Sequence, residues 1–172
     1  MSRFARFAVR VTVAHVVTYI GVGVVAYALL THEFFDNPNG LAARVMRTPA
    51  EPALWNHVAR WMLPLQIVRG ILIALVLYPF LSTLRNWSYQ KRAAAIAGLY
   101  VVLGQWASTV AGSGNIEGWL ILRPEFTAPG IVVKAMIEGF VQGVAFAGLL
   151  ARWMMPAAMT RGDTASANVN YR

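Results

Sequence analysis

No cysteine occurs anywhere in this 172-residue chain. That excludes disulfide staples, thiol redox chemistry and cysteine metal sites, and it leaves stability to helix packing. Charge is also scarce. Only 13% of the residues are charged against 58% hydrophobic, whereas a soluble domain carries about 25% charged residues. Acids are rarer still, 7 against 15 Lys and Arg, for a net charge of +8. No nucleophile–base motif, phosphate loop or paired-carboxylate signature appears. No RNA- or DNA-binding motif appears either, so nucleic acid does not explain the positive charge. The basic residues sit at the edges of apolar segments, where lipid headgroups account for them.

Most of the chain consists of four apolar stretches, Val11 to Leu30, Leu63 to Leu81, Ala93 to Ala111 and Ile131 to Ala151. A bilayer span takes about 20 apolar residues. Lipid supplies no partner for backbone polar groups, so such stretches must be helical. The expected fold is all-α, a four-helix transmembrane bundle occupying residues 1–155 as one domain. The small, polar segment 156–172 reads as a disordered cytoplasmic tail. Arg3, Arg6 and Arg10 followed by Ala26-Tyr27-Ala28 has the outline of a cleavable signal, but the apolar run exceeds a typical signal core and is expected to stay as a span.

Orientation follows from the placement of Lys and Arg, which accumulate on the cytoplasmic side. With four spans, one side holds Arg3, Arg6, Arg10, Arg85, Lys91, Arg92, Arg152, Arg161 and Arg172 against Asp163 alone. The other side pairs Arg44, Arg47, Arg60, Arg123 and Lys134 with Glu33, Asp36, Glu51, Glu117 and Glu125. Both termini are therefore expected in the cytoplasm of a cell whose inner membrane holds the protein. The loops Thr31 to Met62 and Gly112 to Gly130 then face outward. The short connection Leu84 to Arg92 predicts that the second and third helices are antiparallel neighbours. Trp55, Trp61, Trp87, Tyr89, Trp119 and Trp153 fall near span ends, at the headgroup level such side chains prefer.

In the first outer loop, Thr48-Pro49-Ala50-Glu51 reads as a helix start with Thr48 as cap. Leu54, Trp55, Val58, Ala59 and Met62 recur at helical spacing behind it. The pattern predicts a short amphipathic helix lying at the outer interface in this first outer loop, with a lead-in turn to the second span as the alternative.

Polar residues within the spans are functional candidates by default. Arg69 and Glu138 fall six and seven residues inside spans that start on the same outer side, so they are expected level with each other and paired. Gln66 shares a face with Arg69, and Gln142 with Glu138. Gln105 is expected at similar depth. The five together form a candidate ligand or ion site in the outer half, with Glu117 near its mouth. Structural alternatives stand beside this: Arg69 could snorkel to the headgroups, Lys134 could neutralise Glu138 from one turn away, and the cluster could be interhelical glue. Gly139, Gly143, Ala147 and Ala151 form a small-residue ladder for close packing, against this chain or another. His15, expected in the inner half of the first span, is read as a hydrogen-bonded helix contact rather than a haem ligand. His32, Glu33 and Asp36 lack diagnostic metal spacing, and no cofactor is indicated. A short echo of Arg69-Gly70-Ile71-Leu72-Ile73-Ala74 in Gln142-Gly143-Val144-Ala145-Phe146-Ala147 is compatible with a repeat of two hairpins.

The segment Leu65-Gln66-Ile67-Val68-Arg69-Gly70 with Leu77-Tyr78-Pro79, and later Gly114-Asn115-Ile116-Glu117-Gly118, resembles a pattern in small bacterial four-span membrane proteins of uncharacterised function. The resemblance covers the second helix and third loop only and implies no activity. It draws Gln66, Arg69 and Glu117 together as residues of interest. The leading expectation is a non-enzymatic accessory, assembly or binding component of a membrane complex. Its partners would be the lipid bilayer and other membrane subunits, or a second copy through the fourth helix. The alternative is a small carrier or channel whose polar site opens to the outer face. A membrane enzyme acting on lipid comes third, since nothing specific recommends it.

Overall fold

In a computed structural model the described residues are 2–40, 42–108, 112–116, 118, 122 and 124–154. Among them the regular structure is entirely helical. Helix α1 spans Arg3–Ala26, with the Ser2 hydroxyl accepting from the Ala5 N–H at 3.1 Å to cap it. A π-helical turn, Tyr27–Thr31, carries it into the short α2, His32–Phe35. Helix α3 runs Pro52–Leu77, and a 3-10 turn over Tyr78–Phe80 joins it to α4, Leu81–Asn86. Helix α5 covers Tyr89–Gly98, its first turn capped by Ser88. It continues as a π-helix over Leu99–Trp106. Helix α6 runs Pro129–Trp153 with proline in the first turn, where the missing N–H costs nothing.

Three of these rods are long and apolar enough to cross a membrane: Arg3–Phe35, Pro52–Asn86 and Pro129–Trp153. The fourth expected span is helical from Tyr89 to Trp106; its residues 109–111 lie outside the described set, as do Glu117, Trp119 and the tail 156–172. The outward surface suits lipid. Val9, Val13, Val17, Ile20 and Val24 form one exposed stripe along α1, and Leu65, Val68, Leu72, Leu75 and Val76 another along α3. Contiguous exposed apolar surface on this scale is foreign to a water-soluble monomer.

Helix α1 stands between α3 and α6, and α5 with its π continuation packs on α6. The core fills this sandwich with Phe7, Val11, Ala14, Ala74, Ile96, Phe146 and Leu150. The ring stays open between α3 and α5, where the short connection predicted antiparallel neighbours. The reason lies in the glycines. Gly70 of α3 faces the Thr12 backbone of α1, with no room for a Cβ. Gly139 and Gly143 of α6 lie against Gln105 and Val101 of the third helix. Each member of the 3–5 pair therefore takes its close partner elsewhere.

Two further expectations are corrected here. No separate interfacial helix occurs: Trp55 to Met62 belong to the first turns of the continuous α3, as in the lead-in alternative. The helix starts three residues later than expected, because Thr48 closes a turn through its carbonyl to the Glu51 N–H and Pro52 takes the first helical position.

Candidate functional site

A groove of about 760 Å³ fills the gap between α3 and α5. Its walls are mostly apolar: Leu72, Ile73 and Val76 on one side, Leu99 and Leu103 on the other, with Phe146 of α6 in the floor. Its polar residues are Arg69, Tyr100, Gln105, Glu138 and Gln142. Four of the six candidates named from sequence thus share one groove. Of the other two, Gln66 lies elsewhere and Glu117 is outside the described residues.

Gln66 faces α1. Its side-chain oxygen accepts from His15 Nε2 at 3.0 Å, and both residues are buried. This is the hydrogen-bonded contact expected for His15, with a partner no sequence argument had named. The His15 ring also stands edge-on to Phe146 at 6.0 Å between centroids and lies 6.3 Å from Tyr100. These contacts fix the relative heights of the helices. Arg69 lies three residues beyond Gln66 toward the C-terminal end of α3; Glu138 lies eight residues before Phe146 toward the N-terminal end of α6. At 1.5 Å per residue, Arg69 and Glu138 are rooted roughly 15 Å apart along the bundle. The level pair expected from sequence is therefore not formed, and no ion pair joins them. Both line one groove, Arg69 on its exposed flank, and the groove continues past Arg69 along Leu72, Ile73, Val76 and Leu77.

Lys134, the other counter-ion considered for Glu138, is engaged as well. It pairs with Glu33 at the end of α1–α2 and sits over the Phe34 ring, 4.5 Å from the centroid. Asp36 accepts from the Tyr27 hydroxyl. His32, Glu33 and Asp36 thus do not converge, and among the described residues no three His, Cys, Asp or Glu side chains form a metal-holding group.

The end of the groove at Glu138 is built by three side chains. Gln105 lies against Gly139 and donates its amide N–H to the Ala135 carbonyl at 3.1 Å. Gln142 donates to the Tyr100 hydroxyl at 2.9 Å. Glu138, half-buried, stands one turn from Gln142 and next to Gly139. It also lines a second cavity of about 190 Å³, with Thr31, Phe34, Met46, Ser113 and Phe126. Glu138 is the polar residue common to the two walls together with Lys134's neighbour Ala135. The small-residue ladder is occupied within the chain: Gly139 and Gly143 receive the third helix, and Ala147 lies in the core.

Sequence reasoning overlooked two features. The first is the π-helix Leu99–Trp106, which brings both Tyr100 and Gln105 to the groove; π segments concentrate at functional sites. The second is Arg92, counted only as a cytoplasmic charge. It is 2% exposed, and its guanidinium donates to the carbonyls of Leu84, Arg85, Trp87 and Ala151 at 2.6–3.2 Å. It ties the α4–α5 turn to the end of α6. The mid-turn Trp87-Ser88 break was the available signal, since a chain reversal beside a helix end leaves carbonyls to be satisfied.

Comparison with protein-family models, with curated proteins and with solved structures finds no match to this chain.

Proposed function

We propose that the protein is a four-span integral membrane protein of the inner membrane with both termini cytoplasmic. In this reading it acts without catalysis as a small binding component, and the groove between its second and third spans is the binding surface. The observation that carries this is the gap itself. The chain builds close contacts at α1–α3, α1–α6 and α5–α6 yet leaves about 760 Å³ unfilled between α3 and α5. That volume falls within the range of ligand sites, apolar walls with a few placed polar groups. The walls match a ligand with an apolar body that arrives from the bilayer, and the exposed Leu72 and Leu103 face its path.

The test is to fill the groove. Leu72→Trp with Leu103→Trp adds bulk at two exposed positions and leaves the core contacts alone. Native mass spectrometry of protein purified in mild detergent should find a bound amphiphile on the wild type and none on the filled variant, at unchanged thermal stability. A wild type that carries no more than the filled variant ends this reading.

A further inference from the structure

The outer end of the groove has a chemical bias that narrows its ligand. Each amide there commits one of its two N–H groups, Gln105 to the Ala135 carbonyl and Gln142 to the Tyr100 oxygen. Glu138 is the one acid among the described residues that line either cavity. No donor among the described residues reaches the carboxylate. The cation best placed to neutralise it, Lys134 one turn away, is held by Glu33 and Phe34. Arg69 is rooted roughly 15 Å deeper. A carboxylate with no cation held against it suits a group that brings both positive charge and N–H bonds.

The remaining walls are hydrocarbon. A methylene fills about the ~30 Å³ of a liquid water, so 760 Å³ holds on the order of 25 heavy atoms. That matches one long chain with a head. Resting on the groove as the binding surface, we infer that its ligand is a single-chain amphiphile with a primary ammonium head. The head sits at Glu138, Gln105 and Gln142, where the groove meets the outer cavity, and the chain lies along Leu72, Val76 and Leu103. Lys134 sets the affinity through its choice of partner. While Glu33 holds it, Glu138 is free for the ligand; released, it would reach Glu138 within its own helix.

The experiment measures equilibrium binding of labelled dodecylamine and labelled dodecanol to the full-length protein in phosphatidylcholine nanodiscs, whose headgroup has no N–H donor. Wild type should prefer the amine by about tenfold or more, as expected for a charge-assisted hydrogen bond. Glu138→Gln should erase the preference while dodecanol binding persists. Glu33→Gln should reduce it without altering the groove. Equal binding of amine and alcohol by wild type overturns the inference, as does a preference that survives Glu138→Gln. Displacement of dodecylamine by an equal amount of diacyl phosphatidylethanolamine overturns the single-chain assignment. The groove-filled Leu72→Trp, Leu103→Trp variant separates the two levels. If it loses both ligands while amine and alcohol bind wild type alike, the ammonium inference fails and the groove reading stands. If it binds both as wild type does, the groove reading fails.

Discussion

His15 and Gln66 show how much of this protein rests on single polar pairs in an apolar setting. Gln66 Oε1 can only accept, so His15 Nε2 carries the proton and donates it across the α1–α3 interface. Removing one partner strands the other in a buried site. His15→Leu or Gln66→Leu alone should each cost about 1–3 kcal/mol, while the double replacement should recover much of that loss. A double-mutant cycle read by denaturant titration in detergent micelles checks this. Strictly additive losses would mean the bond contributes nothing of its own. The same pair explains where sequence reasoning misplaced the polar residues. Depth was counted from the ends of the apolar runs, which put His15 in the inner half and Gln66 in the outer half. The helices extend past those runs: α1 begins at Arg3, eight residues before Val11, and α3 at Pro52, eleven before Leu63. Charged residues such as Arg3, Arg6 and Arg10 continue a helix without difficulty, so hydropathy alone does not mark helix ends. Measured against the full rods, His15 and Gln66 meet near mid-height, and Arg69 and Glu138 separate.

At the scale of elements, what decides the arrangement is where backbone can approach backbone. Helical periodicity and length made the rods legible, and the composition of each made their lipid exposure legible. Their order was not, because it depends on which glycines meet a neighbour and which do not. Gly70 has the Thr12 Cα so close that a Cβ would stand 2.6 Å from it, whereas Gly21 of α1 has nothing within 4 Å. The two look alike in sequence, each a glycine in an apolar helix. Gly70→Ala should push α1 and α3 apart and destabilise by about 1–3 kcal/mol, the usual cost of overpacking. Gly21→Ala should be neutral or stabilising by up to about 1 kcal/mol through helix propensity. Unfolding curves for the two variants in the same detergent give the comparison; equal effects would show that Gly70 does not set the crossing. The π-helix Leu99–Trp106 belongs to the same class of hidden feature. It carries Gly104 and the β-branched Val101 and Val102, but nothing in their spacing distinguishes a wider turn from an α-helical one. Yet the wider turn is what aims Gln105 at Ala135 and Tyr100 at Gln142.

For the whole molecule the absence of cysteine makes the number of bilayer crossings directly measurable. Any introduced thiol is the sole thiol, and an exposed one ionises near its ordinary pKa of about 8.5 and reacts readily. Three exposed positions divide the possibilities. Asn37 follows the first rod, Gln90 opens the third helix, and Gly130 opens α6 with nothing within 4 Å to obstruct a side chain. If all four segments span with the termini in the cytoplasm, a membrane-impermeant maleimide applied to intact spheroplasts should label Asn37→Cys and Gly130→Cys, and should reach Gln90→Cys only after permeabilisation. The basic residues predict this direction: Arg85, Lys91 and Arg92 flank Gln90, whereas Lys134 near Gly130 is matched by Glu33. Labelling of Asn37→Cys alone would place Gly130 on the same side as Gln90, so that Tyr89–Trp106 does not cross. The groove would then border a re-entrant helix rather than a span, and its ligand would have to come from the cytoplasmic face. Labelling of Gln90→Cys alone would invert the protein and put the Glu138 end of the groove inside. The orientation of the acceptor cluster therefore stands on the same three reporters as the count of spans.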